Sequence, residues 1–380
     1  MIARSEGLLY INLITWIHCH ADVTDRPAPS RARLHRSQSD FNSFGRCYTL
    51  TDKKQMYVRR AEPSEMARFR PRYIKCKECG DITEFVLLAR SPAPIPVKRL
   101  SKDFFQIIGD DTGEVFEYQH ATDKSGSITS VKRTLANLRS IINTNCVNAS
   151  FLHWVTMTYA ENMRDRARLH SDFKKFWQKF KRWLVKHGYS IPEYIAVVEP
   201  QGRGAWHLHI ILIWDKKAPF IDNNSIFAPM WGHGWTKIQA VHGVDNLGAY
   251  FSAYLADIPL DEFEREKADT STYAVKYNEV SDDDSGKKTR KAFVKGARLR
   301  LYPSEMNIYR CSRGVKKPVV SQLTYSEYEK KKASVGALTF SHASVVVDSA
   351  NSVDSASVVR SSDDRIVNKI SHEYYNRKRK

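Results

Sequence analysis

Cysteine is scarce in this chain: six residues in 380, at positions 19, 47, 76, 79, 146 and 311. They are too few and too scattered to staple a fold of this length, which excludes a disulfide-framed secreted domain and fits a reducing, cytoplasmic setting. No run approaches the roughly 20 consecutive apolar residues that a bilayer-spanning helix needs, so no membrane partner is expected. Residues 8–17 are apolar but short, hold Asn12 and Thr15, and lack a small-residue cleavage site. They imitate a signal peptide and read as a strand or helix of the domain, or as poorly ordered chain. No Gly-x4-Gly-Lys-Ser/Thr loop occurs, so no nucleotide-driven motor of that kind is present. Acidic residues are also short, 42 against 60 Lys plus Arg, which leaves a net charge of +18 and a pI near 9.5. Such an excess points to a polyanionic partner, nucleic acid first. What is plentiful is core material: 42% hydrophobic and 11% aromatic residues exclude a wholly disordered chain.

Composition divides the chain in three. Residues 1–130 read as an N-terminal extension, with a linker rich in Arg, Ser, Pro and Asp at 21–46. Within the extension, Cys76-x2-Cys79-Gly80 has the form of half a zinc knuckle. Cys47 and His120 are the nearest partners for it, but neither has the expected spacing. Structural zinc and a pair of free thiols both stand as readings. Residues 131–325 form the main domain. Residues 326–380 collapse to Ser, Val, Ala and Asp and end in Arg-Lys-Arg-Lys, a basic-ended tail expected to be disordered.

Inside the main domain, aromatic and β-branched residues 151–159 predict a strand. Ser171 reads as the N-cap of a helix whose Phe173, Phe176, Trp177, Phe180 and Leu184 share one face, with Gly188 closing it. The lysines and arginine on its other face fit either a solvated surface or DNA backbone contact. Residues 194–199 predict a second strand, joined by Pro200-Gln-Gly-Arg-Gly-Ala205 to a third in a hairpin. A helix is expected from Val244 to Asp257, stopped by Pro259. Residues 273–280 and 287–294 read as a second hairpin about an acidic tip.

The third strand, Trp206 to Trp214, carries the most informative pattern. His207 and His209 are two apart, so on a strand they point from one face, while Trp206, Leu208, Ile210, Leu212 and Trp214 point from the other. Two imidazoles side by side can hold a divalent metal. The pair His18 and His20 lacks such a strand. Glu199, at the end of the preceding strand, comes beside the imidazoles in a hairpin and adds an oxygen ligand. Two nitrogens and one oxygen leave positions open on Mg²⁺ or Mn²⁺. Tyr250 and Tyr254, at i and i+4 of the expected helix, share a face and offer phenols as nucleophiles. Tyr273 and Tyr277, with Lys276 between them, form a rival pair on a hairpin strand.

Four stretches in this order resemble the HUH endonucleases, specifically the rolling-circle replication initiators of bacterial plasmids and single-stranded DNA phages. They are 151–160 with its Thr-Met-Thr-Tyr end, Glu199 to His209, Val244 to Tyr254, and the basic segment Cys311 to Pro318. Together they span about residues 146–320. The resemblance implies an α+β fold, a small antiparallel RRM-like sheet flanked by helices, with the histidine strand central. It implies sequence-specific, metal-dependent nicking of single-stranded or origin DNA by Tyr250 or Tyr254, giving a 5′-phosphotyrosine that later rejoins the strand. His207, His209 and Glu199 would hold Mg²⁺ or Mn²⁺, and Arg203, Arg313, Lys316 and Lys317 would contact DNA. A host helicase and DNA polymerase in the bacterial cytoplasm would be partners. One departure is Ala253, where the family commonly has lysine three residues after the first tyrosine. Transposases share this site; relaxases usually carry the tyrosine ahead of the histidines, whereas here it follows them. A non-catalytic DNA-binding replication regulator is the competing class.

Overall fold

A computed structural model describes residues 48–51, 54–91, 97–99, 104–108, 115–119, 121–241, 246–252, 255–265, 275–281, 288–349 and 365–379. In chain order the strands are β1 (Tyr48–Thr51), β2 (Lys54–Arg60), β3 (Tyr73–Cys79), β4 (Ile82–Leu88), β5 (Val97–Arg99), β6 (Phe104–Ile108), β7 (Val115–Gln119), β8 (Leu152–Met157), β9 (Glu193–Pro200) and β10 (Trp206–Ile213). They continue with β11 (Thr236–Ala240), β12 (Ile258–Pro259), β13 (Val275–Ser281), β14 (Lys288–Val294), β15 (Tyr309–Cys311), β16 (Val319–Leu323), β17 (Ala337–Ser349) and β18 (Arg365–Asn376). The helices used below are α1 (Ile128–Asn145), α2 (Arg166–Lys186), α3 (Leu247–Ser252) and α4 (Tyr325–Lys332). The architecture is α+β with antiparallel sheets, and no described helix is long and apolar enough to cross a membrane.

The chain divides into two compact units: Asp123–Ser125 with Val131–Pro318, and the chain that flanks this stretch on both sides. The central unit is built on a five-stranded sheet in the order β11-β8-β10-β9-β15, so the histidine strand is its middle member. The hairpin β9–β10 forms as its Gly-rich connection predicts, with His207 opposite Glu199 and His209 opposite Val197. On one face Trp206, Leu208, Ile210, Leu212 and Trp214 are all buried. There α2 lies across the sheet, its Phe173 and Trp177 rings 5.4 and 4.7 Å from Tyr194 of β9.

The helix starts at Asp165, not Ser171, because the Asp165 carboxylate accepts from the amides of Ala167 and Arg168. Gly188, at φ +74°, ends it as expected. The second hairpin pairs β13 with β14 and encloses its own small core of Ile258, Phe263, Val294 and Ala297. The helix expected over 244–257 is shorter: α3 is followed by non-helical chain at 255–257.

Burial at the far end of the sheet gives a pH prediction. His153 of β8 is 7% exposed and accepts a hydrogen bond from Trp214 Nε1 at 3.2 Å. Burial lowers its pKa from 6.5 to about 4. Between those values the unfolded chain binds a proton that the folded chain does not, so stability is full above about 6.5 and falls on acidification toward 4. Seven of the eight tryptophans lie within Val131–Pro318, so their fluorescence reports this unit. The urea midpoint should drop over that window in the wild type. His153→Gln, which still accepts from Trp214, should flatten the limb; an unchanged limb would reject this assignment.

The flanking unit corrects two expectations. The segment expected to be a disordered tail contributes α4, β17 and β18. With β1 to β4 and β16 these strands make a seven-stranded sheet in the order β1-β2-β17-β18-β4-β3-β16. Tail composition hid this because the strands are stabilised by position. Val345 and Val347 are fully buried, and hydrogen-bonded neighbours on both sides satisfy the Ser-rich backbone. Residues 350–364 lie outside the described residues. The second correction concerns the zinc knuckle. Cys76 and Cys79 sit on β3, where their odd spacing sends them to opposite faces. Cys76 is packed in a core with Ile74, Phe85 and Tyr375, and burial raises its thiol pKa. No zinc-holding turn exists at this pair. Cys47, His120, the pair His18 and His20, residues 8–17 and the linker at 21–46 lie outside the described residues.

Candidate functional site

Cross-strand pairing builds the site. Because His207 faces Glu199 directly, Glu199 also lies diagonal to His209, within reach of a long side chain on the same face. Glu199 Oε2 stands 2.8 Å from His209 Nε2, and Oε1 stands 2.9 Å from the guanidinium of Arg298. His209 Nδ1 is 3.4 Å from Thr156 Oγ1 on β8, so a neutral His209 donates to Glu199 and faces Thr156 with its other nitrogen. The two imidazole rings are 6.0 Å apart, and Trp154 packs edge-on to His209 at 6.2 Å. His207 Nε2 is buried without a hydrogen-bond partner among the described residues.

Electrostatics follow from burial and from Arg298. Burial alone would raise the Glu199 carboxyl. Arg298, then the hydrogen bond and charge of His209, overcome it and hold the pKa at about 2. Burial lowers His207 to about 4, so its ring is neutral and its lone pair is available at physiological pH. These are the protonation states that a hard divalent cation requires of its ligands. Among the described residues, however, no group of three His, Cys, Asp or Glu side chains already converges on a metal position. Glu199 is committed to His209 and Arg298 instead.

Arg298 carried no sequence signal, yet it organises the site. It is 5% exposed, and it donates to Asp257 O at 2.9 Å and to Pro200 O as well as pairing with Glu199. Tyr302, four residues on and fully buried, donates to Val198 O at 3.0 Å and lies 3.4 Å from Leu255 O. One short turn (Ala297–Leu301) therefore clamps the chain just after Tyr254 to the strand residues on either side of Glu199. Spacing could not reveal this, since the partners are about 100 and 40 residues away in sequence.

Of the two preferred tyrosines, Tyr250 lies in α3 and Tyr254 lies outside the described residues. What positions α3 is clear. Asn143 of α1 accepts from Gly248 N at 2.9 Å and donates to Asn246 Oδ1 at 3.0 Å. The helices approach so closely that a Cβ on Gly248 would sit 2.5 Å from Arg139 O. In the rival pair, Tyr273 lies outside the described residues, and Tyr277 is exposed with Arg290 stacked 4.8 Å over its ring. Lys276 forms an ion pair with the buried Asp257, which places that lysine on the chain following α3. Ala253 is outside the described residues.

The basic residues divide. Arg203 is exposed in the turn at the His207 end, its guanidinium donating to Gln201 Oε1 at 3.0 Å and to Tyr159 O at 3.2 Å. Arg313, Lys316 and Lys317 are exposed beyond β15, where Gly314 N binds Glu193 and the Lys316 backbone binds Asn145 twice. Glu193 is six residues up the strand from Glu199, about 20 Å away at ~3.3 Å per residue. The structure does not bring these three to the histidines. Sequence reading also missed Asp172, which is 5% exposed, accepts from Tyr159 at 3.2 Å and lies 3.7 Å from His233 at the mouth of the sheet.

Residues 152–258 match the model of the replication-associated protein family typified by ORF2, a stretch running from β8 through the histidine strand and α3 to the start of β12. The match supports a role in the initiation of replication. No curated protein and no solved structure matches the chain.

Proposed function

We propose that the central unit is an HUH endonuclease that starts rolling-circle replication by nicking DNA with a tyrosine. The observation that carries the reading is the clamp by Arg298 and Tyr302. It sets the chain following the Tyr250 and Tyr254 segment against the residues flanking Glu199, beside His207 and His209.

His207, His209 and Glu199 fit a divalent ion. His207 is neutral with an orphaned Nε2, and His209 and Glu199 share a proton that Mg²⁺ or Mn²⁺ would displace. The bound ion would withdraw charge from a phosphodiester and orient it. The remaining chemistry belongs to the chain. The phenol of Tyr250 or Tyr254 gives up its proton, its oxygen bonds to phosphorus, and the 3′ oxygen of the strand leaves and is protonated. The phosphotyrosine keeps the free energy of the diester, so a 3′ hydroxyl can reverse the step without ATP. Arg203, at the same end of the sheet, would contact the strand near the cut, and Arg313, Lys316 and Lys317 would hold DNA farther away. The free 3′ end would serve a host polymerase, with a host helicase, in the bacterial cytoplasm.

The test incubates the protein with end-labelled random-sequence single-stranded DNA and Mn²⁺ or Mg²⁺, then seeks a denaturant-resistant adduct. The adduct should disappear with chelator, with His207→Ala plus His209→Ala, and with Tyr250→Phe plus Tyr254→Phe. No adduct from the wild type would end the nicking reading. Persistence in the double tyrosine variant with loss in Tyr273→Phe would move the nucleophile to the rival pair.

A further inference from the structure

The flanking unit has a sheet face that the nicking reading does not use. Helix α4 and the core of Ile74, Cys76, Phe85, Leu87 and Tyr375 cover one face of the seven-stranded sheet. On the opposite face, register places Phe340 across from Tyr374 and His342 across from His372. The four half-buried rings form one continuous, near-parallel pile. Tyr374 and Phe340 lie 5.8 Å apart at 28°, Phe340 and His342 5.4 Å apart at 26°, and His342 and His372 4.6 Å apart at 3°. Packed cores favour edge-to-face contacts, as Phe85 makes with Tyr328 and Tyr375 on the covered side at 87° and 78°. The aligned pile instead has the geometry in which bases stack.

Charge on this face suits a phosphate backbone. Lys75 of β3 lies two strands from His372 in the same row, and Arg60 of β2 is exposed opposite Ser344, beside the pile. The acidic neighbour Glu84 is compensated by Lys77 at 2.9 Å and takes the Tyr374 hydroxyl at 3.1 Å. Aromatic platforms flanked by cations bind single strands with little sequence preference, since every base has a π-face. We infer that Phe340, His342, His372 and Tyr374 form a stacking platform for single-stranded DNA, separate from the histidine site.

The test titrates full-length protein into fluorescein-labelled oligothymidylate and into an abasic strand of equal length, read by anisotropy. Phe340→Leu plus Tyr374→Leu keeps bulk and removes the flat faces. It should bind oligothymidylate on the order of tenfold more weakly and the abasic strand unchanged. Phe340→Tyr, which retains a ring, should bind as wild type. To guard against misfolding of the leucine variant, irradiation of wild type with an oligonucleotide carrying 4-thiothymidine supplies a second readout, with crosslinks expected on β17 or β18. Unchanged affinity in the folded leucine variant, crosslinks confined to Val131–Pro318, or tighter binding of oligouridylate would overturn the assignment. A failed nicking assay leaves it standing, since none of these measurements needs cleavage.

Discussion

Replacing Arg298 with methionine should cost the central unit about 3–5 kcal/mol, because it leaves Glu199 as a buried charge without its main partner. The sign of the pH effect is fixed by the same contacts. In the wild type the carboxyl is held at about 2, so its contribution is present above the ordinary value of 4.5 and is lost only as pH falls through about 2. Without the guanidinium, burial dominates and the carboxyl rises above its ordinary value. Stability then depends on pH in a range where the wild type is flat. Urea unfolding followed by tryptophan fluorescence at several pH values measures both effects. Arg298→Met combined with Glu199→Gln removes the orphaned charge and should recover much of the loss. A single-variant cost under about 1 kcal/mol would mean that the pair behaves as an exposed one.

Gly248→Val should disable the proposed nicking more than it weakens the fold. The new side chain meets Arg139 O at 2.5 Å and Asn143 Oδ1 at 2.6 Å, and the first of these is backbone that cannot swing aside. Helix α3 must then shift, with an overpacking cost of about 1–3 kcal/mol. Tyr250 is two residues along the same helix, and a displacement of about 1 Å at a reacting group can lower a rate on the order of 10²-fold. The adduct rate should fall by about that factor while the urea midpoint moves modestly. Asn143→Ala, which removes hydrogen bonds and adds no bulk, should fall between this variant and the wild type. Full activity in Gly248→Val would show that α3 does not position the nucleophile.

The parts of this molecule that could be read from sequence are those set by local periodicity. The alternation from Trp206 to Trp214 gave the faces of β10, and the Gly-rich turn placed Glu199 beside His207. Apolar spacing in α2 and the acidic tip of the second hairpin were equally plain. What escaped depends on partners distant in the chain. Arg298 looks like one more cation until Pro200, Glu199 and Asp257 are folded around it. The Ser- and Val-rich residues after 337 resemble a solvated tail because their strand identity comes from β2 and β4, nearly 300 residues earlier. Cys76 and Cys79 have the spacing of a knuckle, but the apolar alternation about them put Cys76 in a core. The basic segment after Cys311 follows the histidines in motif order, yet antiparallel β15 carries it to the far end of the sheet.

The strand order of the flanking unit also governs timing. In β1-β2-β17-β18-β4-β3-β16, the two strands nearest the end of synthesis fill the middle of the sheet. The ribosome delivers all of Val131–Pro318 before either exists. The nicking unit can therefore mature on contacts of its own, while β2 and β4 wait with unpaired edges for β17 and β18 to thread between them. Until then, the aromatic pile cannot assemble.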